Sequence, residues 1–267
     1  MADATESRAL RALREIIESG RPLLYVRSAE ERRVTALLRE AAAKCFAKPV
    51  PLFTWSLTDG MRRDGEAAGK ALAPRAALDF VAAHEGSAIF LLKDFHEAMR
   101  ESPEIRRRLR DLYEACADRG KFVVIASPVK LIPDEVERAM VFVELVVPDH
   151  AELELFLRRE VEAAKKTGGS TDPGDATIAQ LARALQGLTL DDAHHAVRRA
   201  LSARKKLDAE CIPLLLEEKR LLVNRAGLIE YIPTESGLEH VGGLETMKQW
   251  LLQRRRLFQM RDSISAS

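Results

Sequence analysis

Apolar and polar positions follow two different periods along the chain, and the changes from one to the other predict its elements. Leu10, Leu13, Ile16 and Ile17 recur on one helical face, so residues 8–19 read as an amphipathic helix. Gly20 stops it and Pro22 follows. PLLYVRS (22–28) is then a short strand. Val34, Leu37, Leu38, Ala41 and Cys45 mark the apolar face of the next helix. PLFTWSL (51–57) is a second strand, and the polar, glycine-bearing stretch 58–70 reads as a loop. Pro74 opens a helix that runs through Val81, and AIFLLKDF (88–95) is the third strand. Pro103 opens a helix to about Arg119, with Ile105, Leu109, Leu112 and Cys116 inward. KFVVIASP (121–128) and MVFVELVVP (140–148) are the fourth and fifth strands. A helix from Ala151 to about Lys166 follows.

Strand and helix alternate through this region, and several strands are nearly continuous apolar runs. Strands covered on both faces look like that. The pattern predicts an α/β fold: an open parallel sheet with helices on both faces, of P-loop-type topology. Composition changes at KKTGGSTDPGD (165–175), which reads as a hinge. Helices alone follow it, over 176–185, 189–204 and 208–224, and make a small, lid-like helical subdomain. The expected domains are 1–166, 175–226 and 227–267, the last a linker, one more helix and a frayed tail.

Composition changes this picture little. With 267 residues, a sizeable core is available. Lys and Arg total 42 against 41 Asp and Glu, a net charge of +1, so no general attraction to nucleic acid or membrane is expected. Cys45, Cys116 and Cys211 have neither zinc spacing nor a disulfide framework and read as small apolar residues. MADATESRAL has no apolar core like that of a signal peptide, and no apolar run approaches the ~20 residues of a membrane helix. The expected compartment is a reducing cytoplasm, and Ala and Arg usage suggests a bacterial source.

Candidate chemistry centres on the ends of the strands. A P-loop places G-x-x-x-x-G-K-[ST] between a strand and a helix, where backbone N–H groups cradle phosphate. After the first strand this chain has Arg27-Ser28-Ala29-Glu30-Glu31, without Gly or Lys. Ser28 and Glu31 have capping-box spacing, which would use up the free N–H groups and set negative charge where phosphate needs donors. Gly65-Glu66-Ala67-Ala68-Gly69-Lys70 is one residue short of the motif and reads as a surface loop. The third strand ends in Lys93-Asp94-Phe95: Asp94 has the position of a magnesium ligand, but Phe95 stands where many ATPases carry a catalytic Glu. Asp94 is expected to be structural, held by Lys93 or by backbone donors at the strand end. His96 reads as a polar loop residue, and His194 and His195, adjacent on a helix, cannot chelate one ion from one face. The Arg runs at 106–110 and 254–256 are solvated or partner-facing helix surfaces.

The ordered strings LLYVRSAEERRV, LFTWSLTDG, AIFLLKDFH, IRRRLRDL, FVVIASPV, GLTLDDA and GLIEYIPTESGLEHVGGL carry a resemblance. Together they resemble the AAA-type ATPase family known as hypothetical chloroplast reading frame 46, from about Leu13 to about Phe258. The resemblance implies an N-terminal, degenerate AAA-like region, with the active ATPase module after it in the family. Gly242 and Gly243 match the turn into that module, and residues 227–267 then read as a linker and a truncated entry to it. The resemblance implies a non-catalytic regulatory or substrate-engaging domain, with no catalytic residue, no metal and no cofactor of its own. ATP and magnesium are expected only in the ATPase module. The vestigial positions are Arg27, Ser28, Glu30, Glu31, Lys93, Asp94 and Ser127. Expected partners are an AAA ATPase module or another protein, with oligomer formation, and neither nucleic acid nor membrane. Two rival functions stay open: a nucleotide-binding ATPase with an atypical phosphate site, and a free-standing protein-interaction module.

Overall fold

A sheet in the order β4-β3-β2-β5-β6-β1-β7 forms the centre of the first unit of the chain. Its strands are β1 (Leu23–Arg27), β2 (Leu52–Ser56), β3 (Gly60–Arg63), β4 (Glu66–Ala67), β5 (Ala88–Lys93), β6 (Lys121–Ser127) and β7 (Val141–Glu144). The computed structural model describes residues 6–69, 73–166, 173–225 and 242–264. The chain divides into two units, Met1–Lys219 and Arg220–Ser267.

Strands β2, β5, β6, β1 and β7 are parallel, as the apolar runs predicted. Their side chains alternate between two cores. Leu23, Tyr25, Phe90, Leu92, Val123 and Ile125 face one layer of helices, made of α3 (Pro74–Ala83), α4 (His96–Glu101), α5 (Pro103–Cys116) and α6 (Asp134–Glu137). Leu24, Val26, Ile89, Leu91 and Val124 face the other, α1 (Arg8–Glu18) and α2 (Glu31–Cys45). Every residue of β6 is buried, which is why no polar alternation marks it in the sequence.

The stretch 58–70, expected as a loop, instead carries the antiparallel pairs β2–β3 and β3–β4. Asp64 (φ 49°) and Gly65 (φ 89°) make a two-residue turn, and the buried Met61 anchors β3. The sheet is therefore parallel at its centre and antiparallel at one edge. At the other edge β7 stops at Glu144, short of the strand expected over 140–148. It pairs with β1 alone, and Val146 and Val147 beyond it are exposed. Helix α5 ends at Cys116 rather than near Arg119, because Asp118 and Gly120 turn at positive φ.

Helices follow: α7 (His150–Lys166), α8 (Asp175–Leu185), α9 (Leu190–Arg204), a 3-10 turn over Ala209–Cys211, and α10 (Ile212–Arg225). Leu153, Leu157, Ile178, Leu181, Leu185 and Val197 are buried among them. Thr189 caps α9 by accepting from the Asp192 N–H at 3.1 Å. The linker expected from residue 227 lies outside the described residues as far as 241. Beyond it α11 (Glu245–Ile264) is the further helix expected, with Met247, Trp250, Leu251 and Leu257 exposed. No helix of the described residues is long and apolar enough to cross a membrane.

Candidate functional site

The ends of β1, β5, β6 and β7 lie level. Arg27 is in register with Ser127 on one side and Glu144 on the other, and Lys93 with Ala126. All seven positions expected to be vestigial lie at or just beyond these strand ends or at the start of α2. The sheet thus brings together residues up to 100 positions apart, as in Arg27 and Ser127.

Each position is committed to an internal partner or turned outward. Arg27 forms an ion pair with Glu144 at 3.2 Å. The Ser28 hydroxyl accepts from the Glu30 N–H at 3.0 Å, and the Ser28 N–H donates to the Ser127 carbonyl at 2.8 Å. The expected capping box does not form. Helix α2 starts two residues later than the box requires, with Glu30 as its N-cap, and the Glu31 carboxylate turns away to pair with Lys93 at 2.7 Å. Lys93 is therefore spent on Glu31 and does not neutralise Asp94, as the sequence suggested. The two charges lie on neighbouring structural elements, whereas Asp94 leaves the strand at φ 50° and points its carboxylate outward, 57% exposed.

Glu30 goes deeper. One of its oxygens, Oε2, accepts from Arg33 Nη1 at 2.9 Å, and the other, Oε1, accepts from the Leu190 N–H at 2.6 Å. Arg33 is 3% exposed. Its Nε and Nη2 donate to the two oxygens of Glu152 at 2.7 and 2.9 Å, and Nη1 also reaches the Val146 carbonyl at 2.7 Å. Burial alone would lower the Arg33 pKa. The hydrogen bonds and charges of Glu152 and Glu30 outweigh it and hold the guanidinium above its ordinary value. Asp149 sets Glu152 in place by accepting from its N–H at 3.0 Å. A cavity of about 90 Å³ beside this cluster is lined by Arg33, Leu37, Glu152, Phe156 and Leu190. Ligand pockets run to roughly 300–1,000 Å³, so this one is too small for a nucleoside triphosphate.

At the end of β5 the water-activating position of an ATPase is closed. Phe95 is fully buried and packs edge-on to Trp55 at 5.2 Å. His96 is not the loop residue expected. It opens the short helix α4, is buried, and shares a 2.8 Å hydrogen bond with the Ser127 hydroxyl through Nδ1. Its Nε2 lies 3.3 Å from Glu97, and Nδ1 lies 4.0 Å from Asp94. Serine, histidine and carboxylate are thus in sequence, but Ser127 is 1% exposed, so its hydroxyl is closed to substrate.

The remaining candidates have ordinary roles. His194 pairs with Glu160 at 3.1 Å while His195 is exposed, and the two do not converge. In the first Arg run, Arg106 pairs with Glu135, Arg107 with Asp111 and Arg108 with Asp79. In the second, Arg254 lies over the Trp250 ring at 5.1 Å. Burial raises the pKa of Cys45, Cys116 and Cys211, which makes these thiols poor nucleophiles. Among the described residues no group of three or more His, Cys, Asp or Glu could hold a metal ion. Gly65 turns a hairpin, and Lys70 lies outside the described residues. Sequence reasoning missed Arg33 and Glu152. The Glu30-to-Arg33 spacing of three on one helix was a signal for half of that cluster; Glu152, 119 positions away, gave none.

Comparison with known proteins bears on the family and the fold. Residues 9–145 match the profile of the SpoVK-like AAA ATPase N-terminal domain, and residues 151–226 that of the second domain. The AAA domain-containing protein ycf46 of Pyropia yezoensis is 26% identical over 249 residues, 92% of this chain and 49% of the relative. The ycf46 protein of Trieres chinensis is 25% identical over 251 residues, 93% of this chain and 49% of the relative. The chain thus spans about half the length of the curated relatives it matches. Among solved structures, C. elegans PCH-2 superposes with a TM-score of 0.50 at 11% identity, over 80% of this chain and 67% of that one, a likeness of fold.

Proposed function

The chain belongs to the SpoVK-like AAA ATPase family, and from that premise we propose that it is a non-catalytic regulatory or substrate-engaging part of an AAA ATPase, without nucleotide chemistry of its own. One observation carries the proposal. The turn after β1, where a P-loop fold takes phosphate, carries the carboxylates of Glu30 and Glu31, each bound to a cation of the same chain. An incoming triphosphate would meet two negative charges and find the neighbouring Arg33 and Lys93 engaged. The buried Phe95 supports the same conclusion at the water-activating position. On this reading ATP and magnesium act in an ATPase module with which this region works, and that module is its first partner. Assembly into an oligomer and a cytoplasmic location belong to the same proposal, the second supported by three free thiols.

Titration calorimetry with Mg-ATP tests it. The chain is expected to give no binding heat. Low-micromolar binding would overturn the proposal in favour of an ATPase with an atypical phosphate site.

A further inference from the structure

We propose that the Glu30 carboxylate is a tethered anion, a ligand supplied by the chain itself, that seats on Arg33 and the first turn of α9 and closes the helical part against the α/β part. The inference deepens the reading above, on which it rests: at the turn where a P-loop fold binds an external oxyanion the chain carries an anion of its own, and closure does not depend on a nucleotide.

The two oxygens of Glu30 serve different parts of the molecule. Oε2 binds Arg33 on its own helix, while Oε1 accepts from Leu190, 160 residues away and the first residue of α9. The N–H groups of a first helical turn have no intrahelical acceptor and carry partial positive charge. A carboxylate fits them as a phosphate oxygen does. The charge balance explains why the second contact is needed. Arg33 faces two carboxylates, Glu30 and Glu152, so the buried cluster holds one negative charge in excess. The N-terminus of α9 is where that excess is stabilised. Glu30 is 8% exposed, so this happens largely out of water, where such a contact is strongest. Arg33 completes the clasp by holding Glu152 of α7 and the Val146 carbonyl before it. Glu152 and Leu190 of the helical half, and Val146 just before it, thus hang on two side chains from the start of α2.

The chemistry recognised at this seat is a small oxyanion, a carboxylate first. The test is chemical rescue in the Glu30→Gly variant, since glycine is accepted at an N-cap and leaves a hole the size of the lost carboxylate. Hydrogen exchange is followed by mass spectrometry in peptides spanning Leu190, with peptides of β6 as the internal control. In Glu30→Gly, exchange at the start of α9 is expected to rise about 10-fold or more, while β6 stays protected. Formate or acetate is expected to restore the protection, and chloride at the same ionic strength to leave it lost. Unchanged exchange at Leu190, or a loss that neither formate nor acetate reverses, would overturn the proposal. Should Glu30→Gly fail to fold, Glu30→Gln keeps the shape and removes the charge. Faster exchange at Leu190 in that variant supports the anion, and wild-type protection refutes it. These outcomes are separate from Mg-ATP binding by the wild-type chain, which would sink the proposed function and leave the rescue result standing.

Discussion

Asp94 has the sequence position of a magnesium ligand and none of the surroundings. Its φ of 50° turns it out of line with β5, its N–H is taken by the Ala126 carbonyl at 2.9 Å, and its carboxylate is 57% exposed. Lys93, beside it, pairs with Glu31 instead. Asp94→Asn should therefore change stability by no more than about 0.5 kcal/mol, the range of an exposed site. Thermal unfolding of wild type and variant, each with and without magnesium, checks this. A magnesium-dependent rise in wild-type Tm that vanishes in the variant would mean that a metal site persists. Of the two holders the sequence offered for Asp94, Lys93 pairs elsewhere. Adjacency along a strand says little about pairing, because successive side chains leave on opposite faces.

At the scale of elements, what the sequence made legible was whatever local physics decides. The parallel strands announced themselves as apolar runs, and Pro74, Pro103 and Thr189 marked helix starts that the structure keeps within a residue. The hairpin over 60–67 was hidden because β3 and β4 are short and β4 is exposed, so no apolar period of two develops. Its one signal was Asp64-Gly65, a pair suited to a two-residue turn with both residues at positive φ. Lys121 opens β6 and looks like a solvated strand end in the sequence. It is 3% exposed, and its ammonium donates to the carbonyls of Val81, Ala82 and His84 at 3.2, 3.4 and 3.1 Å, closing the C-terminus of α3. A cation there satisfies carbonyls that the helix leaves over and complements its dipole. Lys121→Met keeps the stem and removes the charge, so it should cost about 2 kcal/mol, the scale of charged hydrogen bonds left unmade. Denaturant unfolding measures this, and a variant as stable as wild type would show that water satisfies those carbonyls equally well.

For the whole molecule, the question is what a buried cluster of two carboxylates and one guanidinium contributes. A buried ion pair is a weak source of stability, because desolvating the charges offsets most of their attraction. Its better-attested use is to fix one arrangement among several. The cluster of Glu30, Arg33 and Glu152 fits that use, since its contacts join segments from 113 to 160 residues apart. No local pattern encodes such a contact, so the two glutamates after β1 could be read from the sequence, while the partners that hold them could not. Two variants separate stability from geometry. Arg33→Met leaves two carboxylates buried without their cation and should lose about 3–5 kcal/mol. The triple variant Glu30→Gln, Arg33→Met, Glu152→Gln buries no charge and should regain most of that loss in denaturant unfolding, while exchange at Leu190 stays faster than in wild type. If instead the triple variant is as unstable as Arg33→Met alone, the cluster holds the fold together energetically. Its role as a clasp that sets how α7 and α9 meet α2 would then have to be given up.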